Sequence, residues 1–145
     1  IKRWWRKMGK KRYPRAKELL ITADCGGSNS SRTRLWKVAL QELADALGLR
    51  LSVCHFPPGT SKWNKIEHRM FCHITQNWRG RPLTNYAVIV QLIGSTKTPT
   101  GLQIRAELDE HTYPPKEKVT DEQLAKVRLK PAPFHGEWNY AIAPK

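Results

Sequence analysis

The chain predicts an α/β fold with a mostly parallel sheet flanked by helices, on three observations. Residues 1–83 alternate helix, strand, helix, strand, helix, an order that builds parallel sheets with helical crossovers. A short apolar run, 19–23, and an alternating one, 49–53, each end at a polar or turn-forming cluster, as strands do. No apolar run approaches the ~20 residues needed to span a bilayer.

In order along the chain, Ile1, Trp4, Trp5 and Met8 follow helical spacing and make residues 1–8 the end of an amphipathic helix, with Lys2, Arg3, Arg6 and Lys7 on its other side. Gly9 and Pro14 then punctuate a basic loop. Residues 19–23 are continuously apolar and stop at Asp24, Cys25, Gly26 and Gly27, which reads as a strand buried on both faces. Residues 28–31 offer several N-caps. Residues 32–47 form a helix with Leu35, Ala39, Leu43 and Leu47 on one stripe and Gly48 as its C′ residue. Leu49, Leu51 and Val53 alternate with Arg50 and Ser52 in a second strand ending at His55 and Phe56. Pro57, Pro58 and Gly59 break it, and Thr60 or Ser61 caps a long helix to about Asn77, closed by Gly80 and Pro82.

The rest is less regular. Residues 86–93 read as a helix, 95–101 as a polar linker and 102–108 as extended chain. Thr120 and Gln123 fit a capping box opening a short helix to about Val127. Residues 134–142 supply a last strand. A length of 145 residues makes one domain, 1–145, the natural division, with 1–83 as its α/β core and 84–145 as a C-terminal extension.

Charge sets the class of partner. Twenty-six Lys and Arg stand against 12 Asp and Glu, a net charge of +14. Such an excess calls for a polyanion, and DNA or RNA phosphate is the first candidate over a merely soluble basic surface. Three cysteines, Cys25, Cys54 and Cys72, have no paired spacing and fit reduced thiols of a cytoplasm. No membrane segment and no small-molecule cofactor motif is expected; Gly26-Gly27-Ser28 precedes a helix but lacks the Walker pattern. His68 and Cys72 are four residues apart, but without Cys-x-x-Cys pairs a zinc site is not expected.

Two carboxylates stand out. Asp24 ends a buried strand, where open α/β sheets place their ligand sites, and the following glycines leave it accessible. Its alternative role is an ordinary turn aspartate. Glu67 borders the apolar face formed by Trp63, Ile66, Met70, Ile74 and Trp78, a costly position for an unpaired charge. Its alternative role is a salt bridge to Lys62 or Arg69. A strand-end Asp and a helix Glu can share hard cations, and two such ions about 4 Å apart drive phosphoryl transfer. Lys62, Lys65 and Arg69 share the helix with Glu67, and Arg79 and Arg81 follow it; each is a candidate for DNA phosphate. Core packing is the expected role of Trp63.

The stretches ITADCGGSNSSRTRLWK (21–37), VCHFPPGTSKWNKIEHRMF (53–71) and NWRGRPL (77–83) resemble the DDE transposases of the Rhodopirellula-type insertion-sequence family. TGLQIRAELDEHTYP (100–114) and FHGEWNYAI (134–142) extend the resemblance over nearly the whole chain. It implies a partial RNase H-like fold, with Asp24 as the second catalytic aspartate, Glu67 as the catalytic glutamate, and Asn64 as the Asn of an Asn-x-x-Glu pattern. It further implies Mg²⁺ or Mn²⁺ in a two-metal site, insertion-sequence ends and target DNA as partners, and a bacterial, cytoplasmic, nucleoid-associated protein.

By the same resemblance the first aspartate lies on strands upstream of residue 1. Asp45, Asp109 and Asp121 stand in no motif that replaces it. The 145 residues alone are then expected to be inactive, and the strand at 19–24 to expose an edge that favours self-association. Three other readings compete: a non-catalytic basic DNA-binding remnant, an RNase H-like nuclease acting on RNA or a hybrid, and a basic assembly protein.

Overall fold

The computed structural model describes residues 1–113 and 118–145. Pro114, the last residue of the stretch 100–114, lies outside the described residues. By packing, the chain groups into two compact units, Ile1–Ser61 with Lys116–Lys145, and Lys62–Pro115.

The first unit is built on one four-stranded sheet. Helix α1 spans residues 2–12, strand β1 is Glu18–Ala23, helix α2 is Arg34–Leu47 and strand β2 is Arg50–His55. In the second unit, a helix of residues 65–78 (α3) is followed by α4, Tyr86–Gly94. The chain closes in the first unit with helix α5 (Asp121–Ala125), strand β3 (Leu129–Pro131) and strand β4 (Asn139–Ile142).

The sheet order is β1-β2-β4-β3. Only β1 and β2 are parallel, with Leu19 opposite Leu51 and Ala23 opposite His55. β4 runs antiparallel to both β2 and β3. The sheet is therefore mixed rather than mostly parallel, because the C-terminal segment returns as a hairpin and takes the free side of β2. β3 was not expected: it is three residues long and contains Pro131, which lacks a ladder N–H and is tolerated at the sheet's edge.

The expectation of a β1 buried on both faces is corrected. β1 is the other edge, and its burial alternates, leaving Leu20 62% exposed while Ala23 is buried. An edge strand with one covered face produces that alternation, here with Glu18, Leu20 and Thr22 outward. The covered face joins Leu40, Ala44, Leu51, Val53, Tyr140 and Ile142 in one core, flanked by Leu19, Ile21, Trp36, Leu43, Val127 and Leu129.

α2 presents Leu40 and Ala44 to this core, a different stripe from Leu35, Ala39, Leu43 and Leu47; Leu35 and Ala39 are exposed. Its N-cap is Thr33 rather than a residue of 28–31, because Gly27–Asn29 close a separate 3₁₀ turn. Gly48 is left-handed at φ 63°, as a C′ glycine should be. α1 runs through Gly9 to Arg12 instead of stopping at residue 8. A Cβ on Gly9 would lie 2.5 Å from the Trp5 ring, so here glycine permits close packing and does not end the helix.

The capping box at Thr120 forms as expected, with both reciprocal hydrogen bonds present. α4 begins at Asn85, whose side chain accepts from Val88 N–H at 2.9 Å. Residues 102–108 form no strand; only Lys97 and Gln103 pair, in an isolated antiparallel bridge.

Candidate active site

Asp24 follows the last residue of β1, beside the end of β2, and its side chain is exposed. Asn29 Nδ2 donates to its Oδ1 at 3.1 Å, which leaves Oδ2 free for another ligand. The 3₁₀ turn Gly27–Asn29 brings Asn29 back to the carboxylate. Gly27 holds φ 60°, a left-handed backbone that favours glycine.

Beneath Asp24 runs a chain of buried polar groups absent from the expectations. His55 Nδ1 lies 3.3 Å from the Asp24 carbonyl oxygen, and His55 Nε2 lies 2.9 Å from the Tyr140 hydroxyl. Trp36 Nε1 donates to the same hydroxyl at 2.9 Å. An indole N–H can only donate. The Tyr140 proton is thus available for His55 Nε2, and Nδ1 carries the ring proton that Asp24 O accepts. Burial lowers the His55 pKa, opposed by the Asp24 carbonyl and abetted by the charge of Lys37. Burial likewise pushes the Tyr140 hydroxyl up to about 12, so it keeps its proton at neutral pH.

Glu67 sits in the second unit, on α3. The helix starts after Asn64 rather than at Thr60 or Ser61, since the Thr60 hydroxyl donates to the Pro57 carbonyl at 2.6 Å and Ser61–Trp63 form a 3₁₀ turn. Asn64 O accepts from Glu67 N–H at 3.0 Å, and Asn64 Oδ1 makes a long contact to Ile66 N–H at 3.5 Å. This gives the Asn-x-x-Glu spacing a local meaning, an Asn that closes the helix start three residues before the acid.

Glu67–Phe71 form a π-helical turn, with Cys72 N–H reaching back to Glu67 O. Such turns are rare and often mark functional positions. Glu67 is half-buried, and no ion pair to Lys62 or Arg69 forms among the described residues. Lys62, Lys65, Arg69, Arg79 and Arg81 are all exposed. Trp63, expected in the core, is 61% exposed: it lies in the 3₁₀ turn ahead of α3, and of the supposed apolar face only Ile74 is buried.

The other aspartates are engaged elsewhere. Asp45 accepts from Gln41 and the Lys145 N–H, Asp121 pairs with Arg34, and Asp109 accepts from His111 and Tyr113. Among the described residues no three His, Cys, Asp or Glu side chains gather as a metal centre would need. Nor is any helix of the described residues long and apolar enough to cross a membrane.

Asp24 is thus an exposed strand-end carboxylate on an α/β sheet, in a chain whose net charge of +14 suits a polyanionic partner. The chain belongs to the Rhodopirellula transposase DDE domain family, whose pattern it matches over residues 1–144. No curated protein and no solved structure matches it. Its function is in general that of a transposase.

Proposed function

We propose that the domain supplies two carboxylates of an RNase H-like transposase centre, Asp24 and Glu67, which with one further acid hold Mg²⁺ or Mn²⁺. The observation that carries this reading is the Asp24 carboxylate: exposed at the strand end, and held by Asn29 on one oxygen alone. A hard cation wants such an oxygen, and one or two carboxylates plus substrate phosphate satisfy it. Glu67, half-buried without an ion-pair partner, is a donor of the same chemistry. When bound, the ions supply an activated attacking oxygen and stabilise the leaving one.

The chain's own residues orient and bind. Asn29 fixes the Asp24 carboxylate from the side, and His55 fixes its backbone from below. Lys62, Lys65, Arg69, Arg79 and Arg81, with Asn64 at the helix start, hold the DNA backbone near Glu67 and offset carboxylate–phosphate repulsion. The reaction is cleavage of the phosphodiester at the insertion-sequence end by water, then attack of the freed 3′ hydroxyl on target DNA. Positioning and charge stabilisation lower its barrier.

The test is Asp24→Asn and Glu67→Gln in the full-length transposase, assayed on DNA bearing the element ends with Mg²⁺ and with Mn²⁺. Cleavage should fall to background while salt-dependent DNA binding persists. Wild-type cleavage in either variant would overturn the assignment. Equal activity on RNA or hybrid would reassign the substrate.

A further inference from the structure

The loop of the β3–β4 hairpin lies at the same end of the sheet as Asp24. β4 starts at Asn139, opposite Cys54, and β1 runs parallel to β2. Residues 132–138 therefore lie at the carboxyl end of β1 and β2. This loop is tightly held. Ala132 N–H donates to Asn139 O at 2.8 Å, Trp138 N–H to His135 O at 2.9 Å, and Asn139 Nδ2 to Phe134 O at 3.2 Å. His55 N–H donates to Trp138 O at 2.9 Å and ties the loop to β2.

A Cβ on Gly136 would meet Ala132 O and Pro131 Cβ at 2.8 Å, so only glycine fits. His135 adopts φ 47°, the one positive φ at a non-glycine residue among those described. Such order, maintained outside the core, presents aromatic rings. His135 stacks on Trp138 with centroids 5.3 Å apart, and Phe134, 75% exposed, meets His135 edge-on at 4.4 Å.

Beside the loop is a cavity of about 310 Å³, lined by Cys25, Ser31, Arg32, Glu137 and Trp138 among others. Cys25 is the residue after Asp24, so the cavity lies one residue along the chain from the candidate carboxylate. Its chemistry is mixed in an informative way. Arg32 is exposed and pairs with no carboxylate among the described residues. Glu137 has Oε1 on His135 Nδ1 at 2.9 Å, leaving Oε2 to accept. Trp138 supplies an indole surface. A guanidinium binds phosphate, an indole takes the face of a base, and a carboxylate oxygen accepts from a base amino group while repelling phosphate.

We infer that this cavity binds one unpaired nucleotide of the DNA strand, its phosphate on Arg32 and its base against Trp138. A paired base is stacked on both faces and cannot enter, so the ligand is a frayed or extruded nucleotide. The inference rests on the proposed function only for placing that nucleotide next to the phosphodiester acted on at Asp24. The Glu137 carboxylate adds a preference for bases carrying an amino group over thymine.

The experiment titrates the 145-residue chain with oligonucleotides carrying 2-aminopurine, either unpaired at a strand end or inside a blunt duplex. Stacking on Trp138 should quench the unpaired probe further, while the paired probe, already dimmed by stacking on its neighbouring bases, should not change. Trp138→Ala should weaken binding of the unpaired probe by about 5- to 150-fold, the range for loss of one base–aromatic stack, and Trp138→Phe should restore most of it. Arg32→Ala, at an exposed position, should lower the salt slope by about 1 without unfolding the chain.

Equal quenching of paired and unpaired probes would overturn the inference, as would wild-type affinity for the unpaired probe in both Trp138→Ala and Arg32→Ala. Asp24→Asn separates the two readings: it should abolish cleavage in the transposase and keep the quench. Cleavage that survives this substitution defeats the catalytic assignment, whereas a missing quench in the unsubstituted chain defeats the nucleotide site.

Discussion

Replacing Tyr140 with Phe removes one oxygen from the core and disconnects two nitrogens, one buried and one half-exposed. The hydroxyl lies 2.9 Å from both Trp36 Nε1 and His55 Nε2, and among the described residues no other partner serves either nitrogen. The ring volume stays, so no cavity forms. The cost is polar: a buried group left unsatisfied costs about 1–3 kcal/mol. Trp36 is half-exposed and can turn to water, whereas His55 is only 5% exposed. The sum is about 2 kcal/mol, dominated by His55. With a urea m-value of about 2 kcal/mol/M, the denaturation midpoint should fall by about 1 M. The measurement is urea unfolding followed by tryptophan fluorescence and by circular dichroism. Nitrogen NMR of His55 should show the Nδ1–H tautomer in the parent chain and a mixture in Tyr140→Phe. An unchanged midpoint together with an unchanged tautomer would refute the hydrogen-bond chain.

Three further outcomes follow from the same geometry. Burial holds the His55 pKa below its ordinary 6.5, so the unfolded chain takes up the proton first; this contribution to stability is complete above pH 6.5 and is lost as pH falls toward the folded value, with Lys37 and Asp24 the charges that face the ring. In metal-free buffer the urea midpoint should therefore decline from pH 7 to pH 5, and His55→Asn, which keeps a donor toward Asp24 O, should flatten the decline. Asn29→Ala frees the Asp24 carboxylate and should reduce metal affinity or cleavage by about 10- to 100-fold, read as a raised Mn²⁺ half-saturation with the urea midpoint unmoved; an unaltered metal dependence would remove Asn29 from the site. β1 is an open edge with Leu20 outward, so the 145-residue chain should self-associate in light scattering, and Leu20→Lys should suppress it; a monodisperse parent monomer would count against this.

The elements legible in the sequence are those whose signal is local. Residues 34–47 end at a left-handed Gly48, β2 alternates Leu51, Val53 and His55 inward, and Thr120 with Gln123 closes a capping box. What was misread depends on distant partners. A short apolar strand looks the same whether one face is covered or two, and only the sheet order makes β1 an edge. The strand that flanks β4 is three residues long and contains a proline, too short and too irregular for periodicity to find. Gly9, a helix breaker by propensity, stays inside α1 because Trp5 covers it.

The candidate site divides along the same line. Asp24 and Glu67 stand out as candidates because breakers and helical spacing frame them, and Asn64 because it stands one turn before Glu67. Asn29 was within reach too, since a short Gly-Ser-Asn turn after an aspartate brings an amide back to it. His55 was not. Within its own strand it is one more inward residue of an alternating pattern, and its polar ring would be a defect there. It becomes an asset only through Tyr140, 85 residues further on, and through Trp36 beyond that hydroxyl. The same holds for Trp138, whose carbonyl accepts from His55 N–H and whose ring lines the cavity beside Cys25. Strand ends gather such groups because the ladder stops there, and each backbone or ring donor must find a partner from another segment. At this end of the sheet the hairpin supplies them. A substitution in residues 134–140 should therefore reach Asp24 through His55, although neither the charge pattern nor the carboxylates of the chain point to that segment.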